Sequence, residues 1–143
     1  MSATAPRIYF VCTGNSARSP MAEGFARALG AGRVEAASGG LEPSVVNPLA
    51  VAAMAEVGVD ISAHASKAID PALLVGADLV VTLCGDANER CPVIPGGAPR
   101  LHWDLPDPAR AEGTDDKRMA VFRRVRDEIA QRLQALFVER GWR

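Results

Sequence analysis

The sequence has few aromatic residues, few cysteines and no excess of charge of one sign. Aromatic residues make up 5% of its 143 residues, and the formal net charge is −1. A chain this close to neutrality has no bulk electrostatic attraction to nucleic acid or to an anionic membrane, so neither is expected as a partner. Any anion that the protein binds must therefore be held by a local site.

The sequence also lacks the features that direct a chain into or across a membrane. No stretch is apolar enough over the roughly 20 residues that a bilayer requires. The N-terminal segment from Met1 to Pro6 has neither the charged nor the apolar region of a signal peptide. We therefore expect a cytoplasmic protein with no membrane partner, and we expect it to be a monomer.

The three cysteines are Cys12, Cys84 and Cys91. An odd number of cysteines in a reducing compartment argues against a structural disulfide framework, so reactive or buried thiols are expected. The composition, 48% hydrophobic and 23% charged, is that of a folded globular protein. No repeat, linker or low-complexity tract divides the chain, which predicts a single domain over residues 1–143.

Short apolar segments alternate with segments of helical periodicity. The pattern predicts strands at 7–11, 34–38, 77–83 and 101–103, and helices at 20–29, 48–57 and 115–140 with a helical turn from 71. Ser19, Asn47 and Asp70, each followed by proline, are the expected N-caps. Such alternation predicts an α/β domain of three layers, with a four-stranded parallel sheet flanked by helices. Residues 91–100, rich in proline and glycine, are expected to form a loop.

The chemically reactive residues cluster after the predicted strands. Cys12, Cys84 and Asp107 each lie just beyond a strand end, which is where parallel sheets bind ligands. The segment 12–19, here called the oxyanion loop, places a cysteine after a strand and an arginine before a helix. Its expected anion ligands are Thr13, Gly14, Asn15, Ser16, Ala17, Arg18 and Ser19, with Cys12 as the expected reactive thiol.

The physical properties of the oxyanion loop suit a tetrahedral anion. Gly14 and Asn15 tolerate positive φ, so the loop can turn its backbone N–H groups inward, and the following helix adds further donors. Arg18 can bind the anion with two parallel hydrogen bonds. The same positive field favours the thiolate form of Cys12, which Ser19 can stabilise by a hydrogen bond. The alternative is a buried, inert cysteine followed by a strand–helix turn.

Two further sets of residues have alternative interpretations. Cys84 and Cys91 could form a redox pair if residues 85–88, which are weak helix formers, unwind, or they could be unrelated thiols, one of them a zinc ligand. Zinc is poorly supported because the spacing is wrong and the chain has only two histidines. Asp107 is either a general acid or a solvated turn residue before proline.

The segment 11–23 resembles the signature of the low-molecular-weight protein tyrosine phosphatase superfamily. A narrower resemblance, to thioredoxin-coupled arsenate reductases, covers nearly the whole chain from Arg7 onward. It rests on residues 80–84, on Cys91-Pro92, on His102-Trp103 and on Asp107-Pro108. The resemblance implies catalytic roles for Cys12, Arg18, Ser19, Cys84, Cys91 and Asp107.

The resemblance also implies the reaction and the partners. Cys12 attacks arsenate, and Cys84 then forms a disulfide with Cys12. Cys91 attacks Cys84, which frees Cys12 and leaves a Cys84–Cys91 disulfide that thioredoxin reduces. Phosphate and sulfate would be substrate analogues, and no cofactor is implied. In phosphatases of the superfamily tyrosines follow the matching Asp-Pro, whereas Ala109 and Arg110 follow here, which argues against an aromatic substrate.

One position departs from the family pattern. Asn15, Glu23 and Ser38 match positions that bind potassium in some arsenate reductases, but Lys67 stands where an aspartate is expected. We therefore expect no metal site, and we expect the Lys67 ammonium to donate toward the other three residues. A solvated surface lysine is the simpler alternative.

The alternatives to a reductase are a phosphatase that uses only Cys12, Arg18 and Asp107, and a non-enzymatic protein that binds arsenite or a metal through its thiols. Two remaining groups of residues are given structural interpretations. Trp103 and Trp142 are expected to pack in or near the core. The arginines of the last helix alternate with acidic residues, which predicts a solvated face formed by Arg118, Arg123, Arg124 and Arg126.

Overall fold

The computed structural model describes residues 5–84 and 98–142. Four parallel strands form one sheet in the order β2-β1-β3-β4. They are β1 (Arg7–Cys12), β2 (Glu35–Gly40), β3 (Leu79–Thr82) and β4 (Arg100–His102). Strands β1 and β3 lie in the centre and are buried almost throughout, as strands covered by helices on both faces must be. The predicted fold class is confirmed.

Four α-helices and one 3₁₀ turn flank the sheet in the described residues. They are α1 (Arg18–Gly30), α2 (Pro48–Ala55), α3 (Pro71–Gly76), the 3₁₀ turn η1 (Pro108–Arg110) and α4 (Asp115–Arg140). Asn47 and Asp70 cap α2 and α3 as predicted, because their side chains accept hydrogen bonds from the N–H groups two residues later. No helix in the described part of the chain is long and apolar enough to span a bilayer.

The predicted cap of α1 is wrong. The helix begins at Arg18, so Ser19 lies inside its first turn, and the residue at the cap position, Ala17, makes no side-chain hydrogen bond. The Ser19 hydroxyl is instead 2.8 Å from the sulfur of Cys12. A cap would have occupied a backbone N–H group at the helix end that points toward an anion site.

The long C-terminal helix has the predicted bounds and closes the core. Its apolar stripe, Phe122, Val125, Ile129, Leu133, Leu136 and Phe137, is buried, with Met119 half-buried beside it. Trp103 is buried and Trp142 packs edge-on against Phe137, with 5.8 Å between ring centroids. Both tryptophans therefore pack as predicted.

Arg126 does not lie on a solvated face, so that prediction is wrong for this residue. Its guanidinium is buried and donates to the Ala53 carbonyl at 2.9 Å and to Glu56 at 2.8 Å. A second arginine, Arg123, forms a two-pronged pair with the same Glu56 carboxylate. The end of α2 is thereby fixed to α4.

This contact predicts a pH-dependent contribution to stability. Hydrogen bonds from Arg123 and then Arg126 lower the pKa of Glu56 from 4.5 to about 2. A carboxyl whose pKa is lower in the folded state stabilises the protein above its ordinary pKa, and the stabilisation is lost as pH falls toward 2. In Glu56→Gln the midpoint of thermal unfolding should therefore be lower than in the unmutated protein at pH 7, with the difference shrinking below pH 4. Glu139→Gln, on the exposed side of α4, is the control. A difference that does not change with pH would contradict this role.

Candidate active site

The site lies where the chain leaves the carboxyl ends of the two central strands. Cys12 is the last residue of β1, which pairs on one side with β2 and on the other with β3. Cys84 follows β3, and its sulfur is 3.2 Å from the Thr13 hydroxyl. The structure thus brings Cys84 against the oxyanion loop, as its position after a strand predicts. Cys91 and the segment between the two cysteines lie outside the described residues.

The backbone of the oxyanion loop is held from its outer side. The segment 41–47 donates four hydrogen bonds of 2.8–3.2 Å to loop carbonyls: Leu41 to Cys12, Glu42 to Thr13, Ser44 to Gly14 and Asn47 to Ser16. Among residues 5–84 and 98–142, none of the backbone N–H groups of 13–18 donates a hydrogen bond. The segment 41–47 therefore satisfies four loop carbonyls, while the loop N–H groups donate to no other described residue and can serve an anion. Asn15 adopts positive φ (47°), whereas Gly14 does not.

Gly40 permits this arrangement and was not identified from the sequence. A Cβ atom at Gly40 would lie 2.8 Å from both the carbonyl oxygen of Thr13 and the amide nitrogen of Asn15. Both are backbone atoms that cannot yield without moving the loop. The end of β2 therefore requires glycine so that the oxyanion loop can lie against it.

The hydrogen bonds around the Cys12 sulfur have a definite direction. The backbone N–H of Lys67 donates to Asn15 Oδ1 at 3.0 Å, which fixes the orientation of the Asn15 amide. Its Nδ2 then donates to the hydroxyl oxygens of Ser19 and Ser38 at 2.8 and 2.9 Å. Because the Ser19 oxygen is already an acceptor from Asn15, its own hydrogen is available for the sulfur of Cys12, 2.8 Å away. The Ser19 hydroxyl is thus placed to donate to the Cys12 sulfur.

The same network continues to a buried carboxylate. Glu23 accepts a hydrogen bond of 2.8 Å from Ser38 and lies 3.4 Å from His64 Nδ1 and 3.1 Å from Arg27. Burial raises the pKa of Glu23, but hydrogen bonds from His64 and Ser38, with the charges of His64 and Arg27, outweigh it and lower the pKa. His64 Nε2 is 3.3 Å from Asn15 Oδ1, so each ring nitrogen of His64 faces an oxygen atom of this network.

The prediction for Lys67 is wrong. Its side chain is exposed, and its Nζ donates to the Ala65 carbonyl at 3.2 Å rather than toward Asn15, Glu23 or Ser38. Both backbone groups of Lys67 are hydrogen-bonded to the network: its N–H donates to Asn15 Oδ1 and its carbonyl accepts from the Gly40 N–H. The group that faces Glu23 is instead the imidazole of His64.

The position of His64 beside Glu23 leads us to expect that potassium does not stabilise the protein more than sodium does. The His64 ring already lies 3.4 Å from Glu23 and occupies the space beside its carboxylate, so melting temperatures in potassium and sodium chloride at equal ionic strength should coincide. In His64→Gln the buried carboxylate loses the imidazole donor, which should lower stability by roughly 1–3 kcal/mol. Lys67→Gln, next to the same network but exposed, is the matched control and should change stability little. A potassium-specific gain in the unmutated protein would contradict this assignment.

Arg18 links the loop to Asp107. Arg18 is 7% exposed and is anchored by a 3.0 Å hydrogen bond from Nη1 to the Leu105 carbonyl. Its Nη2 lies 3.6 Å from Asp107 Oδ2. The other carboxylate oxygen, Oδ1, accepts from the Ala109 N–H at 3.0 Å and caps η1. Asp107 is therefore a turn residue through one oxygen while the other faces the site.

The sequence alone did not identify two members of the site. Gly40 lies two residues beyond the predicted strand 34–38, and only the close approach of another backbone reveals its importance. His64 lies 41 residues from Glu23 (64 − 23), and no spacing rule connects them. Both become visible only when distant segments meet in the fold.

Residues 7–140 match the family described as low molecular weight phosphotyrosine protein phosphatase. Arsenate reductases of Halalkalibacterium halodurans and Bacillus subtilis are 54% and 53% identical to the chain over 134 residues, covering 94% of it and 96% of each relative.

Solved structures show the same two groups of relatives. An arsenate reductase in a phosphate-binding state is 39% identical, with a TM-score of 0.76, and the match covers 94% of this chain and 98% of that one. A low molecular weight protein tyrosine phosphatase from T. tengcongensis is 28% identical, with a TM-score of 0.78 and coverage of 94% and 99%. A thioredoxin-dependent arsenate reductase from Corynebacterium glutamicum is 27% identical, with a TM-score of 0.77; the match covers 97% of this chain and 63% of that protein. This chain belongs to the low molecular weight phosphotyrosine protein phosphatase family.

Proposed function

We propose that this protein is an arsenate reductase that uses thioredoxin as its reductant. The observation that carries the proposal is the position of Cys84, whose buried sulfur lies 3.2 Å from the Thr13 hydroxyl of the oxyanion loop. Phosphoester hydrolysis has no use for a second thiol at this point. The similarity to arsenate reductases, about half of whose residues are identical, supports the same function.

The first step is displacement at arsenic. The oxyanion sits among the free N–H groups of 13–18 and the guanidinium of Arg18. The Cys12 thiolate, stabilised by the Ser19 hydroxyl, attacks arsenic and forms a sulfur–arsenic bond. One arsenic–oxygen bond breaks, and the oxygen departs as water after Asp107 donates a proton.

The second step transfers two electrons to arsenic. The Cys84 thiolate, assisted by a hydrogen bond from Thr13, attacks the Cys12 sulfur. A disulfide forms, the sulfur–arsenic bond breaks with its electron pair on arsenic, and As(V) becomes As(III), which leaves as arsenite. Cys91 then attacks the Cys84 sulfur and releases the Cys12 thiolate. The remaining Cys84–Cys91 disulfide accepts two electrons from thioredoxin, which returns the enzyme to its reduced state. All three thiols belong to one single-domain monomer, and we place the reaction in the cytoplasm.

A second candidate is phosphatase activity, because Cys12, Arg18 and Asp107 suffice for a phosphoenzyme intermediate. The residues that follow Asp107 disfavour a phosphotyrosine substrate, since Ala109 and Arg110 offer no ring against which a tyrosine could stack. A small phosphoester remains possible chemically, and inorganic phosphate would bind as an analogue of arsenate.

Product chemistry separates these functions. The protein is incubated with arsenate, thioredoxin, thioredoxin reductase and NADPH, and arsenite is measured together with NADPH consumption. We expect one arsenite for each NADPH. Release of phosphate from phosphoesters at a comparable rate, with no arsenite, would identify a phosphatase. Binding of arsenite without turnover would identify a thiol-based binding protein.

A further inference from the structure

We propose that Arg110 is a second cation of the oxyanion site, which attracts the anion to the mouth of the loop and exchanges its contact with Asp107 for one with the incoming anion. This inference rests on the proposed function, because it assigns Arg110 to the substrate of that same site. Arg18 is the buried, fixed cation, and Arg110 is the exposed, movable one.

The geometry gives the two arginines a common partner. Arg110 Nε lies 3.8 Å from Asp107 Oδ2, and Arg18 Nη2 lies 3.6 Å from the same oxygen. The two side chains differ sharply in freedom, since that of Arg18 is 8% exposed and that of Arg110 is 89% exposed. The Arg110 guanidinium can therefore leave Asp107 at little cost, whereas the Arg18 guanidinium cannot.

The backbone of Arg110 is nevertheless well fixed. The Arg110 N–H donates to the Asp107 carbonyl at 3.2 Å, and the Ala109 N–H donates to the Asp107 side chain at 3.0 Å. The η1 turn thus directs the Arg110 side chain back over Asp107, at the mouth of the site. Only the side chain has to move when an anion arrives.

Arg110 supplies positive charge to a segment that is otherwise acidic. The segment 104–112 contains three acidic residues, Asp104, Asp107 and Glu112, and Arg110 is its one basic residue. Without Arg110, the segment 104–112 would have three carboxyl groups and no cation, and one of these groups, Asp107, faces the site. A protein with a net charge of −1 does not attract anions as a whole, so attraction to this mouth of the site depends on local cations such as Arg18 and Arg110.

The alternative is an ordinary surface ion pair between Arg110 and Asp107. Exposed pairs contribute little to stability, and their loss leaves binding elsewhere unaffected. The two roles differ in their dependence on salt. An exposed cation that attracts a dianion loses its effect as ionic strength rises, because the screening length falls to about 3 Å at 1 M.

The test compares Arg110→Gln with Arg33→Gln, which removes the same charge from an exposed position in the turn before β2, at the opposite end of the sheet. At low salt Arg110→Gln should lower kcat/KM for arsenate roughly 3- to 10-fold, and the difference from the unmutated protein should vanish at high salt. Arg110→Lys should retain most of the activity, and kcat at saturating arsenate should stay within a factor of two of the unmutated value in all variants.

Binding of inorganic phosphate, measured by calorimetry on the reduced protein without thioredoxin, provides a second readout. It should weaken in Arg110→Gln by the same factor as kcat/KM and remain unchanged in Arg33→Gln. The proposal is overturned if Arg110→Gln behaves like Arg33→Gln at low salt, or if its loss does not depend on salt. If the unmutated protein makes no arsenite but phosphate binding still depends on Arg110, the proposed reduction fails while the assignment of Arg110 stands.

Discussion

Replacing Cys12 by serine should abolish arsenate reduction while the fold remains intact. The hydroxyl of serine is almost fully protonated at neutral pH, so no nucleophile remains to attack arsenic, and the rate should fall by roughly 10³-fold or more. Cys12 is 1% exposed, and the smaller oxygen atom fits the same space and keeps the Ser19 hydroxyl as a partner. The rate of arsenite formation with the thioredoxin system measures the loss.

Two controls separate lost chemistry from lost structure in this variant. The midpoint of thermal unfolding should change by only a few degrees, and inorganic phosphate should still bind, because the N–H groups of 13–18 and Arg18 are unchanged. Normal turnover by Cys12→Ser would show that another residue is the nucleophile. Loss of phosphate binding together with a collapsed melting midpoint would show instead that the thiol supports the loop.

Replacing Cys84 by serine should separate reduction from the first displacement. The oxyanion loop and Asp107 remain, so any activity toward small phosphoesters should stay near that of the unmutated protein. Arsenite should not form, even in a single turnover, because no second thiol is placed to remove the Cys12 sulfur from arsenic. The 3.2 Å contact with Thr13 and the burial of Cys84 give it this position. Arsenite in a single-turnover quench is the measurement.

The matched comparison is Cys91→Ser, which leaves Cys12 and Cys84 in place. This variant should make one arsenite per chain and then stop, with a Cys12–Cys84 disulfide that thioredoxin cannot resolve. Thr13→Val, which removes the hydroxyl but keeps the shape, should slow only the formation of that disulfide. Repeated turnover by Cys84→Ser or Cys91→Ser would rule out the three-thiol relay, in which Cys12, Cys84 and Cys91 react in turn.

Much of the fold follows from local sequence patterns. The bounds of α4 were predicted because apolar residues recur at three- and four-residue steps over its whole length. Asn47 and Asp70 cap their helices because an asparagine or aspartate before proline satisfies local N–H groups wherever the helix packs. The same rule failed at Ser19, whose hydroxyl serves a residue seven positions earlier. Local preference gave way there to a hydrogen bond with the nucleophile.

The part of the site that consecutive residues form could be predicted from the sequence. The spacing of Cys12 and Arg18 indicates the oxyanion loop, and the strand end before Cys84 places that thiol nearby. The outer support of the loop depends on segments far apart in the chain. Gly40, His64 and the N–H groups of 41–47 gain their roles only from tertiary packing. For this reason the sequence predicts a role for Lys67 and none for His64.

The most direct test of the three-thiol relay is mass spectrometry of the disulfides after one turnover. The fully reduced protein is mixed with excess arsenate in the absence of thioredoxin and any other thiol, and is then quenched with an alkylating agent. The relay predicts one arsenite per chain, a disulfide between Cys84 and Cys91, and an alkylated Cys12. Three alkylated cysteines with no arsenite would contradict it.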